Sequence, residues 1–402
     1  MNLLGLLLVI TQLVLINISP VGCKPNTVDS KVSKEIVIFG GNGFIGSATV
    51  EELLKRGHTL TLINRGNWYW DSEQTIKPRV QHVTCDRGIA LTKCEEMVKY
   101  VENLNSTVGA IVDFSAFQHF AVVEATKLFR GKADLYIYIS SDSVYEVCLK
   151  NHSNPSRETD AVRPNSIDER NTLAEKDHYG DSKLRCEEEL SAQRPNGGIP
   201  FISLRLPDVI GPRDNTYRWW IYQMWLRLIK YLEKPVSVPR DLLNRPLSLV
   251  YSADVAKAVV VCLDPTPEML DQAFNIAFEE TPSLLEIMNT MKMMLNLTDI
   301  SIKTDSGDEP LYLFPSVRLG PVDISKARDL LGWTPTPWLQ AVNETIDFYE
   351  KAITNPVFET AKKDIIRTMQ TYFTSRPLKV LVGLKKVYGV TYEGPTLSKD
   401  EL

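Results

Sequence analysis

Tyr179 and Lys183 stand four residues apart in the segment Tyr-Gly-Asp-Ser-Lys. That spacing puts a phenol and an ammonium on one face of a helix. The ammonium favours the phenolate, so the pair could pass a proton near neutral pH while a hydride moves on a neighbouring carbon. Alone, the spacing is common and mostly marks a solvated pair; its position after the fifth expected strand reverses that. Upstream, Ser140-Ser141-Asp142-Ser143-Val144-Tyr145 closes an apolar run. A hydroxyl at such a place can hydrogen-bond the reacting oxygen beside Tyr179. Ser141 suits that role, whereas Ser143 fits a local turn cap.

Hydride chemistry needs a cofactor, and a glycine turn offers the place for one. Ile36 to Gly46 reads IVIFGGNGFIG, with Gly40, Gly41, Asn42, Gly43, Phe44, Ile45 and Gly46 forming the turn and the start of a helix. Both Gly41-x-Gly43-x-x-Gly46 and the wider Gly40-x-x-Gly43-x-x-Gly46 match dinucleotide-binding spacings. Glycines there permit a tight turn, bring backbone N–H groups to a pyrophosphate and let the helix press on the strand. A preceding strand, a following helix and a second strand on schedule separate this motif from an ordinary glycine-rich turn. At the end of that second strand, an NAD site usually has a carboxylate for the ribose 2′-hydroxyl. Here Asn64-Arg65-Gly66 stands instead, which favours the 2′-phosphate of NADP, with NAD the alternative. Asp86 is expected at the adenine, and Ser115 is a further cofactor contact.

The elements that must position these groups alternate as in a parallel sheet with crossover helices. Strands are expected at 36–39, 59–63, 80–84, 110–114, 135–140 and 201–206, with helices at 48–56, 95–104, 122–130 and 179–193. The polar stretch 150–175 is expected to loop over the site. After Gly211 the chain turns aromatic, with Trp219, Trp220 and Trp225, and is expected to form an irregular, smaller substrate-covering region. Helices follow within 323–335 and at 339–352, and a basic tail beyond Pro356 carries no assignable pattern.

The 402 residues, 44% hydrophobic and 24% charged, suit a globular enzyme. A net charge of −5 argues against a dedicated nucleic-acid binder, which needs surplus Lys and Arg. Leu3 to Ile16 is almost wholly apolar, a length that suits a secretory signal and is short for a membrane span. Cleavage is expected after Cys23; no Lys or Arg precedes the apolar run, so a retained anchor stays open. The last residues, Lys399-Asp400-Glu401-Leu402, are the retrieval address of the endoplasmic reticulum, read by its retrieval receptor. Together the two segments predict the ER lumen. Asn105, Asn151, Asn296 and Asn343 begin tripeptides that could accept glycans there. Cys85 and Cys94 are near enough for a local bridge, although pairing is not readable from spacing. No Cys/His spacing suggests a metal.

In their order, the glycine turn, Ser-Ser-x-x-Val-Tyr and Tyr-x-x-x-Lys resemble the extended short-chain dehydrogenase/reductase superfamily, also called the NAD-dependent epimerase/dehydratase family. The likeness runs from about Lys34 to Glu350. LRLPDVIGPRD at 204–214, RPLSLVYSADVA at 245–256 and DISKARDLLGWTP at 323–335 look like family signatures. Asn64-Arg65-Gly66 and DFSAF at 113–117 look closest to an atypical branch that includes chloroplast RNA-binding relatives.

The resemblance implies an α/β fold, a Rossmann-type doubly wound parallel sheet with a smaller C-terminal substrate-binding region. The expected organisation is a signal peptide at 1–23, a cofactor domain at 34–210, a substrate region at 211–350 and a tail at 351–402. It implies Ser141, Tyr179 and Lys183 as the catalytic set: Tyr179 as acid/base, Lys183 holding the nicotinamide ribose and tuning Tyr179, and Ser141 positioning the substrate oxygen. Family members commonly act on nucleotide sugars, so Arg213 and Arg245 are expected at a diphosphate and Asp142 at the substrate. Family 4,6-dehydratases place an acidic pair after the hydroxyl residue. Asp142 matches the first, but Ser143 replaces the second, which argues against dehydration. Three readings stay open: a sugar-nucleotide epimerase, an NADP-linked carbonyl reductase, and a cofactor binder without turnover. A homodimer is left open too.

Overall fold

The computed structural model describes residues 33–149, 151, 154–305, 311–314 and 320–392; the apolar leader and the KDEL end lie outside them. From Ser33 onward the described residues form one unit. The cofactor half begins with β1 (Glu35–Phe39), α1 (Phe44–Lys55) and β2 (Thr59–Asn64), then the single turn α2 (Ser72–Thr75). β3 (Gln81–Thr84), α3 (Glu95–Glu102), β4 (Ala110–Asp113), α4 (His119–Leu128) and β5 (Tyr136–Ser141) follow. After α5 (Ile167–Lys176) and α6 (His178–Gln193), β6 (Phe201–Leu206) returns to the sheet.

β10 (Gln272–Asn275) completes seven strands in the order β10-β6-β5-β4-β1-β2-β3, every neighbouring pair parallel. The central strands, buried on both faces, must be apolar along most of their length. Ile36, Val37, Ile38 and Phe39 are accordingly all fully buried. Even positions of β1 join a core with α1 and Val255–Val259, while Val37 and Phe39 join the opposite core with Val122, Ala125 and Leu190. The order reverses between β1 and β4, and that switch point opens a crevice at the strands' carboxyl ends. This is the doubly wound Rossmann arrangement.

The aromatic stretch after Gly211 departs from its expected irregularity. Following β7 (Asp208–Ile210), residues Arg218–Arg227 form helix α7, whose Trp219, Trp220 and Trp225 are fully buried. A helix apolar on every side belongs inside a core, and its uniform hydrophobicity hid the 3.6-residue period from a sequence reading. β8 (Ser237–Pro239), β9 (Leu249–Tyr251) and α8 (Ser252–Cys262) lead to β10, and α9 (Leu284–Met294), β11 (Lys303–Asp305) and α10 (Ser325–Leu331) follow.

α11 (Trp338–Ala352), α12 (Glu359–Tyr372) and α13 (Pro377–Tyr388) then close over α7. The region beyond Pro356, patternless in sequence, thus supplies Ile365, Ile366, Met369, Phe373, Val380 and Leu384 to the second core. A Cys85–Cys94 disulfide is present, with Cα atoms 5.7 Å apart. Asn105, Asn151, Asn296 and Asn343 are all exposed.

Candidate active site

Each glycine of the turn answers a different demand. Gly40 has φ +82°, a left-handed conformation that glycine adopts without cost. A Cβ on Gly46 would lie 2.3 Å from the Gly40 carbonyl oxygen, so this glycine lets α1 press against the turn. Gly43 is different: a Cβ there would meet only the Asn215 amide nitrogen at 3.7 Å and the Gly40 oxygen at 3.9 Å. The protein itself does not require a glycine at 43, but a ligand approaching the backbone would. α1 also starts without a side-chain cap and without an acidic residue in its first turn. Its free N–H groups and positive dipole end therefore point into open space, an arrangement that fits a pyrophosphate. Asn42, which is buried, donates from Nδ2 to the Asn67 carbonyl and ties the turn to the segment after β2.

Two cavities flank this turn, and both touch Gly40 and Phe117. The one beyond β2, of about 340 Å³, is lined by Asn64, Arg65, Asp86, Arg87 and Ser115, among others. Asn64 ends β2 and is buried. Its Oδ1 accepts from the Gly66 N–H at 2.7 Å and lies 3.0 Å from His82 Nε2. That backbone donor fixes the amide's orientation, so Nδ2 is the end left without a partner. A buried donor facing a cavity wants an acceptor from a ligand. Arg87 is largely engaged, pairing with the fully buried Asp113 at 2.6 Å and donating to the Ala121 carbonyl at 2.7 Å, with its Nε left without a partner.

The other cavity, about 570 Å³, brings Ser141, Asp142, Tyr179 and Lys183 together with Gly43, Phe44, Ile45 and Gly46. α6 carries Tyr179 and Lys183, two residues of the expected catalytic set. Asp177 caps it by accepting the Gly180 N–H at 2.8 Å, and a Cβ on Gly180 would strike the Ser143 oxygen at 2.3 Å. The helix start therefore lies directly on the Ser141–Ser143 turn. Lys183 is buried, donating to the Ile139 carbonyl at 2.7 Å and the Ala116 carbonyl at 3.2 Å. Its ammonium is 5.9 Å from the centre of the Tyr179 ring. Burial pulls Lys183 down to about 8, against the charges of Asp113 and Glu187. Although Tyr179 is 46% exposed, desolvation pushes its phenol up to about 12, opposed by the Ser141 hydroxyl.

The expected lowering of the phenol by Lys183 is thus not what this geometry delivers. The backbone carbonyls hold the ammonium, and desolvation dominates at the phenol.

The match to known proteins follows this geometry. The model of the NAD dependent epimerase/dehydratase family matches residues 36–277, more than half of the chain. The chain belongs to this family. It is an enzyme of the short-chain dehydrogenase/reductase type. An uncharacterized UDP-glucose epimerase of Bacillus subtilis is 23% identical over 332 residues, covering 76% of this chain and 94% of that protein. The chloroplast stem-loop binding protein of 41 kDa b of Arabidopsis thaliana is 25% identical, covering 77% of each. Among solved structures, UDP-glucose 4-epimerase of Thermotoga maritima with UDP-glucose superposes with TM-score 0.61 at 18% identity, covering 79% of this chain and 99% of that one. UDP-glucuronic acid 4-epimerase of Bacillus cereus with NAD gives 0.59 at 20% identity, covering 79% and 99%. The last two likenesses are of fold.

Within this family member, several residues stand elsewhere than the sequence led one to expect. Arg213 lines neither cavity. It adopts φ +65° and spends its guanidinium on Asp71, at 2.5 and 3.0 Å, and on Glu51 at 3.2 Å. A cation so neutralised braces α1 against α2 and has little charge left for a diphosphate. Arg245 also lines neither cavity. Among the described residues, none in the stretch 150–175 lines them either: Glu158 turns instead to the backbone N–H of Asn275, at 2.7 Å, beside β10.

Conversely, Asp208 and Arg218 were not singled out in the sequence, yet both line the larger cavity and pair with each other. Asp208 lies inside the quoted 204–214 segment, a signal that could have found it. Arg218 had none, since the aromatic run around it gave no face. Burial raises Asp208 to about 7, against the Arg218 charge. Asp142 is pushed well above its ordinary value by burial and by the Asp208 charge.

Proposed function

We propose that this chain transfers a hydride at a carbinol or carbonyl carbon of a nucleotide sugar, with Tyr179 as acid/base and NADP as the preferred cofactor. The observation that carries the reading is one cavity that joins Ser141, Tyr179 and Lys183 to the uncapped start of α1. A bound nicotinamide would supply or accept the hydride. The protein's own part is proton handling. With its phenol pushed up to about 12, Tyr179 rests protonated and is poised to give its proton to a carbonyl oxygen. Ser141, which lines the same cavity, would hold the same oxygen. Lys183, charged below about pH 8, would hold the nicotinamide ribose.

Support for NADP comes from Asn64 and Arg65. The unpartnered Nδ2 of Asn64 is a donor, whereas a ribose 2′-hydroxyl is best held by an acceptor. A 2′-phosphate offers acceptor oxygens to that amide and to the Arg65 guanidinium. A second reading, an NADP-linked reductase of a non-sugar carbonyl, draws on the departure of Arg213 and Arg245 from the cavity. The proposed compartment is the ER lumen, on the strength of the leader and the KDEL end in the sequence.

Native purification followed by mass spectrometry of retained small molecules tests cofactor and substrate together. Tyr179→Phe should abolish turnover, by at least about a hundredfold for loss of acid–base catalysis, while cofactor binding stays nearly intact. Unchanged turnover would remove Tyr179 from the chemistry. Bound cofactor with no turnover of sugar nucleotide or carbonyl would make the chain a silent cofactor binder.

A further inference from the structure

We propose that the wall formed by Asp142, Asp208 and Arg218 makes the larger cavity selective for an uncharged, hydroxyl-bearing sugar and excludes a sugar that carries a carboxylate. The inference rests on the nucleotide-sugar reading and names its substrate class. Among the described residues lining the cavity, the cations are Lys183 and Arg218, and neither is free. Lys183 is held by two backbone carbonyls, and Arg218 Nη1 is held by the Asp208 carboxylate. Three carboxyl groups line the same space: Asp142, Asp208 and Asp214. Asp214 is occupied as a cap, accepting from the Thr216 and Arg218 backbone N–H groups at 2.8 and 3.1 Å. Asp142 is buried and meets the Ser141 hydroxyl at 3.4 Å rather than a cation.

A carboxylate entering such a space would shed its hydration and find both cations already engaged. A hydroxyl meets the opposite situation. It can donate to a carboxyl oxygen of Asp142 or Asp208, which a carboxylate cannot do. Ser140 supplies an independent sign of a ligand oxygen. It lines the same cavity, is only 3% exposed, and its hydroxyl has no partner. Buried hydroxyls are rarely left so.

The test is calorimetric titration of the cofactor-loaded protein with UDP, UDP-glucose and UDP-glucuronic acid. The expected result is binding of UDP-glucose about tenfold or more tightly than UDP-glucuronic acid. Asp208→Asn, which keeps the shape and releases Arg218, should narrow that gap. Arg218→Gln, which removes the cation, should widen it and carries the test if Asp208→Asn does not fold. Equal or tighter binding of UDP-glucuronic acid by the unaltered protein overturns the inference and leaves the nucleotide-sugar reading standing. A gap that neither substitution moves overturns the assignment to this wall. If neither sugar nucleotide nor UDP binds, the nucleotide-sugar reading falls and this inference falls with it.

Discussion

Gly43 and Gly46 offer a way to separate binding from folding within four residues. In Gly46→Ala the new methyl carbon would lie 2.3 Å from the Gly40 oxygen, 2.9 Å from the Gly41 Cα and 3.1 Å from the Gly40 carbonyl carbon. All three are backbone atoms, so no rotamer change relieves the overlap. Overpacking of this kind costs up to about 3 kcal/mol, and alanine recovers about 1 kcal/mol of helix propensity. The net loss is about 2 kcal/mol, read from urea unfolding without cofactor. In Gly43→Ala the methyl meets nothing closer than 3.7 Å. The backbone at φ −97°, ψ −176° is one that alanine adopts freely, so the loss stays within about 1 kcal/mol. The methyl instead fills space that a pyrophosphate would need, and affinity should fall at least tenfold. At a cofactor concentration about 100 times the original dissociation constant, the parent gains about 2.7 kcal/mol of stability and Gly43→Ala about 1.4. Fluorescence titration with NADPH, paired with unfolding curves in its presence and absence, measures both quantities. If Gly43→Ala binds as tightly as the parent, or unfolds as easily as Gly46→Ala, the division of labour between these glycines is wrong.

Other consequences can be measured directly. Asn64→Asp keeps the acceptor that holds Gly66 N–H and exchanges the unpartnered donor for a second acceptor, so preference should swing from NADP toward NAD; parallel titrations with both cofactors read the ratio, and an unmoved ratio would clear Asn64 of the choice. Asp113→Asn leaves the buried Arg87 cation without its charge partner, and urea unfolding should show a loss of about 3 kcal/mol or more; a loss below about 1 kcal/mol would mean that the pair is dispensable. Burial raises the Asp208 carboxyl from 3.8 to about 7, so between about pH 4 and 7 the folded chain keeps a proton that the unfolded chain has lost. Stability from this group therefore falls as pH rises through that window and is level above it; Asp208→Asn should lose that slope, and a difference between the two proteins that runs the opposite way would refute the burial argument.

Most of the sheet was legible because β1, β4, β5 and β6 are buried on both faces and bounded by turn residues, so short apolar runs mark them; β10, whose Gln272 is exposed, was not among the expected strands. The glycine turn was legible for a related reason: Gly40, Gly41, Gly43 and Gly46 are required at fixed positions by backbone geometry or by ligand approach, and such requirements survive in a single chain. What the sequence hid is uniform or assembled from afar. α7 is apolar all round, so no face announced the helix, and α12 and α13 only make sense against its tryptophans. Arg213 and Arg218 differ by five positions, yet one braces α1 and α2 while the other reaches the cavity. Between β7 and α7 the chain passes through three positive-φ residues, Gly211, Arg213 and Tyr217. Composition and spacing carry no record of that path.

A physical link between the two cavities follows from one carboxylate. Asp113 ends β4 with no exposure and accepts from the backbone N–H groups of Ser115 and Ala116, both at 2.9 Å, besides Arg87 and the Tyr136 hydroxyl. Arg87 is part of the wall around Asn64 and Asp86. Ala116, fixed by Asp113, turns its carbonyl to Lys183 and to the Tyr138 hydroxyl at 3.0 Å. Lys183 and Arg87, which line different cavities, therefore share one buried anchor. Removing the Asp113 charge should for that reason do more than destabilise. Lys183 would lose both a negative neighbour that favours its charged form and the fixed carbonyl that aims it. A loosened loop at 114–117 would also move Phe117, which both cavities share. In Asp113→Asn, cofactor affinity and the pH at which turnover declines should shift together, the latter downward. A variant with lowered stability but both of these unchanged would reduce Asp113 to a purely structural ion pair.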